Sequence, residues 1–300
     1  MSESRITLYH ANWSLCSQMV RVALLEKGID FRLHHVKLCD QYPEGENLSK
    51  EFLALNPKAT VPVITHCGSV ICGSQKIIHY IDSLQGKNDV HLYPQDNPSE
   101  FEQWVSDTTI TEGVGFAETI GTILPVFSSP LIQMMIKKLP FKSILRILLR
   151  HPIKQRKYIF ISMYFFSAAK KFPNLGVSNF IDELMKIENM LSLENDYFSK
   201  SFSHIDINMM CLFHRLKDLQ LEDILSTPLT PRIRTYWTNL QSRSSYKEGI
   251  LNYYGAREKQ IVDSFHQQNN GELLIKLKDK LYELNNCLLY TSPSPRDFTE

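Results

Sequence analysis

The sequence lacks any run of the ~18 or more consecutive apolar residues that a bilayer-crossing helix needs. It also lacks the basic-then-apolar start of a secretion signal, since MSESRITLYH passes straight into alternating residues. Net charge is almost absent. Lys and Arg number 33 against 32 Asp and Glu, so no global positive field recruits nucleic acid. The six cysteines (Cys16, Cys39, Cys67, Cys72, Cys211, Cys287) include no CxxC pair and no Cys/His ligand spacing, which excludes a disulfide scaffold and a structural zinc site. A reducing, cytoplasmic setting without metal is expected. What is present is ample apolar material: 43% of 300 residues is enough for one large core or two modest ones.

Residues 5–9 alternate as a strand does. Ser14 then stands where it would cap a helix running to about Lys27, with Gly28 placed to end it. A second strand is expected over 31–37, followed by a polar loop and a short helix near Lys50–Leu55. VPVITHCGSVIC (61–72) reads as two strands about a Cys67-Gly68 turn, and a helix carrying Ile77, Ile78 and Ile81 closes the unit. The order is βαβαββα. Beyond the turn-rich stretch QGKNDVHLYPQDNP the pattern becomes helical and stays so. The expected class is α/β followed by all-α: a domain over 1–84, a linker over 85–97, a helical domain over 98–255 and a helical extension over 256–286.

Two stretches stand apart. Thr119 to Ile181 holds ten Lys and Arg and no Asp or Glu, with apolar clusters between them. A basic amphipathic stretch suits an anionic membrane surface or the guidance of acidic substrates, but two bundle helices with a solvated basic face is the preferred reading. Residues 287–300 are set aside. CLLYTSPSPRD (Cys287–Asp297) back-translates as the end of a transposon-type sequencing adapter read in frame, and a Ser/Pro-rich tail is the plainer alternative.

Three blocks carry a resemblance: LYHANWSLCSQMVRVALLEKGIDF, EFLALNPKATVPVI and ICGSQKIIHYID. In order and spacing they resemble the N-terminal domain of the glutathione S-transferase superfamily, over most of residues 5–82. The Ser14, Cys16, Ser17 loop is most similar to Zeta-class enzymes (maleylacetoacetate isomerases) and tetrachlorohydroquinone reductive dehalogenases. The resemblance implies a thioredoxin-like domain followed by an all-helical transferase bundle, a homodimer, and glutathione as cosubstrate for attack on a small electrophile in detoxification. The basic stretch is similar to an insertion in the ganglioside-induced differentiation-associated proteins.

The same resemblance implies the site. Ser14 would hold the glutathione sulfur as thiolate, at a helix start whose dipole favours negative charge. A plain N-cap explains Ser14 without any ligand. Cys16, in the first turn, is expected to have a lowered pKa and to resolve a glutathionyl adduct; a small buried hydrophobe is its other reading. Val61, before a cis Pro62, would grip the peptide through its backbone, and Ser74 would hold the γ-glutamyl carboxylate. Gly73 departs from the pattern, standing where relatives carry Glu or Gln. Asn12, Trp13 and Phe116 are expected near the electrophile. Tyr9 falls inside a strand and is read as structural. A non-catalytic protein of the same fold, binding partners or a membrane, is the alternative function. Ser203-x-x-Asp206, with Phe202 and Ile207 flanking, is a capping box with a folding role.

Overall fold

β1 (Ile6–His10) buries Ile6, Leu8 and His10 on one face and leaves Thr7 and Tyr9 half-buried on the other, the two-residue period of a strand. α1 (Leu15–Glu26), β2 (Phe31–His35), α2 (Lys50–Leu55), β3 (Val63–His66), β4 (Ser69–Cys72) and α3 (Ser74–Ser83) follow, completing the expected βαβαββα order. This computed structural model describes residues 5–93, 98–110, 113–166, 168–192 and 194–291. The sheet runs β2-β1-β3-β4, parallel between β1 and β2 and antiparallel elsewhere. Leu8 faces Leu33 on one side and Ile64 on the other, which puts β1 at the centre. Cys67 (φ 49°) and Gly68 (φ 76°) make the tight turn between β3 and β4.

From Pro98 the described chain is helical. It comprises α4 (Pro98–Asp107), α5 (Ile120–Phe127), α6 (Ser129–Lys137), α7 (Phe141–Arg150), α8 (Lys154–Phe165), α9 (Val177–Met190), α10 (His204–Asp218), α11 (Pro231–Ser242), α12 (Ser244–Gly249), α13 (Ala256–Gln268) and α14 (Glu272–Thr291). The α/β plus all-α class holds. Of the adapter-like tail, residues 292–300 lie outside the described residues.

α10 is buried at every position except Lys217 because it runs through the middle of the helical part. α1 is buried nearly all round for the same reason, packed against α3 on one side and α10 and α12 on the other. One apolar cluster therefore includes β1, α1, α3, α5, α9, α10 and α11. The capping box forms: Asp206 Oδ2 accepts from Ser203 N and Ser203 Oγ, each at 2.8 Å. Asp206 Oδ1 accepts from Phe198 N (2.8 Å) and the Tyr236 hydroxyl (2.7 Å), so a buried carboxylate anchors the helix start.

The basic stretch folds as α5–α8. A second apolar cluster joins Ile136, Ile144, Ile147 and Met163 to Cys39, Leu48 and Ala59 of the β2–β3 connection. Arg146 Nη1 donates to Pro43 O and Glu44 O, each at 2.6 Å, and Ser143 Oγ to Pro43 O at 3.1 Å. The expected solvated basic surface is present, with Lys142, Arg150 and Lys154 exposed, but it runs over more than two helices and is shared with apolar side chains. The outward arc of α7 carries Phe141, Leu145, Leu148 and Leu149, all exposed, because Ile144 and Ile147 already fill the inward arc. No single described helix is long and apolar enough to cross a membrane; α5 and α6 meet that measure only as a pair bent by 42°.

Candidate functional site

The loop Ala11–Ser14 joins β1 to α1 and is held from beneath by two buried guanidinium groups. Arg21, fully buried on α1, donates through Nη1 to Ala11 O (3.3 Å) and through Nη2 to Asn12 O (3.0 Å). Its Nε reaches Gly249 O (2.7 Å), and its Nη1 also meets His10 Nδ1 at 3.1 Å. Arg215 of α10 donates to the next carbonyl, Trp13 O. Three successive carbonyls are thus fixed by side chains arriving from two helices. Peptide oxygens at a turn cannot all find partners within the loop, and buried donors satisfy them.

Ser14 caps α1. Its φ and ψ are −73° and 121°, and its Oγ accepts from Ser17 N at 3.3 Å. A hydroxyl that accepts through a lone pair still has its proton to donate. The plain-cap role and a donor role toward a bound sulfur are therefore compatible, at the end of the helix where unpaired N–H groups favour an anion.

Cys16 sits in the first turn, half-buried by exposed area. Burial pushes its thiol up, against the opposing effects of a hydrogen bond with the Ser74 hydroxyl and of Arg156 and Arg215. The lowered thiol expected from its place on the helix is corrected: loss of water around the thiolate outweighs the Ser74 hydrogen bond and two arginines. Cys39 is pushed up to about 12 by burial and by Asp40. Arg156 of α8 acts on Cys16, Cys39 and Asp40 alike, so the basic stretch reaches this corner of the molecule.

Ser74 is buried at the first position of α3, against Cys16. The Val61–Pro62 bond is cis. Val61 lies two residues before the first ladder pair Val63↔Cys72, so its amide takes no part in the sheet pairing. Gly73 caps α3 with φ 90°, and a Cβ there would meet nothing within 4 Å. Backbone conformation, not crowding, favours glycine at this position.

The expected electrophile residues divide. Trp13 is only 3% exposed, and its Nε1 donates to Asp218 Oδ2 at 2.7 Å. It is a core side chain rather than a cleft wall, because Asp218 and Arg215 hold it from both edge and face. Asn12 is half-buried, with its Nδ2 3.3 Å from Glu258 Oε1. Phe116 stands exposed on the loop leading into α5. The two hollows described are lined by residues such as Gly28, Asp30 and Lys87 and lie beyond the C-terminal end of α1, away from Ser14.

Arg21, Arg215, Asp218 and Glu258 were not singled out from sequence. The first stands inside MVRVALL and the next two inside HRLKDL, so the only available signal was a charge in an apolar run. Glu258, on α13, accepts from the Tyr42 hydroxyl at 2.6 Å as well as from Asn12, and Arg257 covers the Tyr42 ring at 4.6 Å. The extension after residue 255 thus latches the loops that follow β1 and β2.

Residues 13–84 match the family profile described as Glutathione S-transferase, N-terminal domain. The chain is 23% identical over 280 residues to Glutathione S-transferase TCHQD of Arabidopsis thaliana, across 84% of this chain and 92% of that protein. It is 34% identical over 96 residues to Maleylacetoacetate isomerase of Rattus norvegicus, 32% of this chain and 43% of that one. Beta-etherase LigF from Sphingobium sp. strain SYK-6 shares the fold with a TM-score of 0.66 at 18% identity, covering 81% of this chain and 98% of that structure.

Proposed function

We propose that this chain is a cytoplasmic, homodimeric glutathione transferase that attacks a hydrophobic electrophile with a serine-stabilised thiolate and serves detoxification. The observation that carries the reading is Ser14, whose Oγ accepts from Ser17 N at the start of α1 and keeps its proton for a sulfur beside it. The Val61 backbone and Pro62 would pair with the cysteinyl part of glutathione. Ser74 and the open N–H groups of α3 would take the γ-glutamyl carboxylate next to Gly73. The relatives TCHQD and maleylacetoacetate isomerase support the same reaction class by name.

In the first step the glutathione sulfur forms a bond to an electrophilic carbon, and the leaving group departs with its electron pair. Cys16 supplies a second step for halogenated substrates. Its sulfur attacks the glutathionyl sulfur, the carbon–sulfur electron pair takes up a proton at carbon, and a mixed disulfide remains. A second glutathione reduces that disulfide, giving glutathione disulfide and the free Cys16 thiol. The proton taken up at carbon balances the one that the Cys16 thiol gives up when its sulfur attacks.

Calorimetric titration with glutathione, followed by assays of S14A and C16A on a chlorinated aromatic, tests this. Binding and loss of turnover in S14A are expected. Turnover that survives C16A would remove the second step. No binding at millimolar glutathione would favour the non-catalytic alternative, for which Gly73 is the specific observation, since it brings no side chain to the start of α3.

A further inference from the structure

We propose that the α7–α8 hairpin is a docking surface for an anionic lipid membrane. Along α7 the exposed side chains Phe141, Leu145, Leu148 and Leu149 fall at the i, i+4, i+7 and i+8 positions of one helical arc, and they are 43% to 71% exposed. Tyr158 and Phe165, two turns apart on α8, and Phe166 just beyond it add exposed aromatic area. The inward arc is already committed to the core through Ile144 and Ile147, so the outward arc has no partner among the described residues.

Charge selects the occupant. The ten cations between Thr119 and Ile181 face no acidic residue in that segment, and none of the ten makes a salt bridge among the described residues. Lys142 and Arg150 lie exposed beside the leucines, and Lys154 opens α8. The rest of the chain holds 23 basic against 32 acidic residues. Arg146 and Arg156 turn toward the β2–β3 connection, so an anionic bilayer would repel the remainder and attract the face that carries Lys142, Arg150 and Lys154, which fixes the orientation as well as the contact. Leucines enter the acyl boundary while lysines and arginines stay with phosphate and carboxylate headgroups. A second copy of the same face would oppose cation to cation, and nucleic acid offers nothing for four aliphatic or aromatic side chains to enter.

The test is flotation of the purified full chain with vesicles of phosphatidylcholine alone and of phosphatidylcholine with phosphatidylserine. Binding to the anionic vesicles only, lost in high salt, is expected. L149D and the pair K142E/R150E should each weaken it about tenfold or more, with circular dichroism and glutathione affinity unchanged. Equal binding to neutral vesicles, no binding to anionic ones, or binding undisturbed in both variants would overturn the proposal. A dimer that L149D dissociates, without any vesicle binding, would assign the face to a second copy instead.

Discussion

The guanidinium of Arg215 lies 3.3 Å from the centroid of the Trp13 ring and also donates to the Trp13 carbonyl. The two residues are 202 positions apart and hold the catalytic-loop candidate to the central helix of the bundle. Trp13 Nε1 and the Tyr254 hydroxyl both donate to Asp218 Oδ2, so one buried carboxylate ties the loop, α10 and the segment before α13 together.

Arg215→Met tests that clamp. It keeps the aliphatic bulk but strands Asp218 and the Trp13 carbonyl without their cation. A loss of ~3–5 kcal/mol is expected, the range for breaking one side of a buried charge pair. The KM for glutathione should rise with it, as the Ala11–Ser14 loop loosens. Urea unfolding read by tryptophan fluorescence measures the first, and a loss below ~1 kcal/mol would show that the contact is incidental.

Gly73→Gln installs the kind of side chain that the family resemblance leads one to expect there. Space for it exists, because a Cβ at Gly73 meets nothing within 4 Å, but φ stays at 90°. Stability should fall by ~1 kcal/mol or more from the left-handed backbone. Glutathione affinity should improve by ~1–2 kcal/mol through one regained charge-assisted hydrogen bond. Calorimetry and thermal unfolding on one variant separate the two effects.

Acid should weaken the fold. Burial lowers His10 and His204 from 6.5 to about 3, and His151 to about 4. The folded chain keeps these rings neutral while the unfolded chain protonates them, so their contribution is complete above pH 6.5 and falls as pH drops toward 4. Each histidine supplies a slope of ~1.4 kcal/mol per pH unit in that window. Asp40 and Asp206, carboxyls raised by burial, act in the opposite sense and soften the decline. The three histidines together would lose ~6–7 kcal/mol between pH 6.5 and 4.5, less whatever Asp40 and Asp206 return, so a fall of several kcal/mol is expected from urea midpoints. Protonated His10 also faces Arg21, so glutathione binding should fail before global unfolding does.

Ser203→Ala removes both the cap of α10 and a donor to buried Asp206. Stability should drop by ~1 kcal/mol or slightly more, with glutathione affinity unchanged. A change under a few tenths of a kcal/mol would reject the capping role.

The βαβαββα order of elements, the helix start at Ser14, the hairpin at Cys67-Gly68 and the Ser203–Asp206 box were all legible, because each is written in residues near one another along the chain. Cys16 was read correctly as to place and wrongly as to acidity. Its position on the helix is local, whereas its dehydration comes from packing against remote elements. Trp13 went the same way, since an indole beside a reactive loop looks alike whether it lines a cleft or enters a core.

Sequence alone determined the βαβαββα unit and the all-helical remainder, because periodicity, caps and turn residues act over a few neighbours. Only the tertiary structure decided that Arg21 and Arg215 grip three successive carbonyls, that Glu258 on α13 latches two loops, and that α7 turns leucines outward. Both arcs of that helix are apolar, so its pattern could not tell the buried side from the exposed one. The packing of Ile144 and Ile147 on the β2–β3 connection settled it.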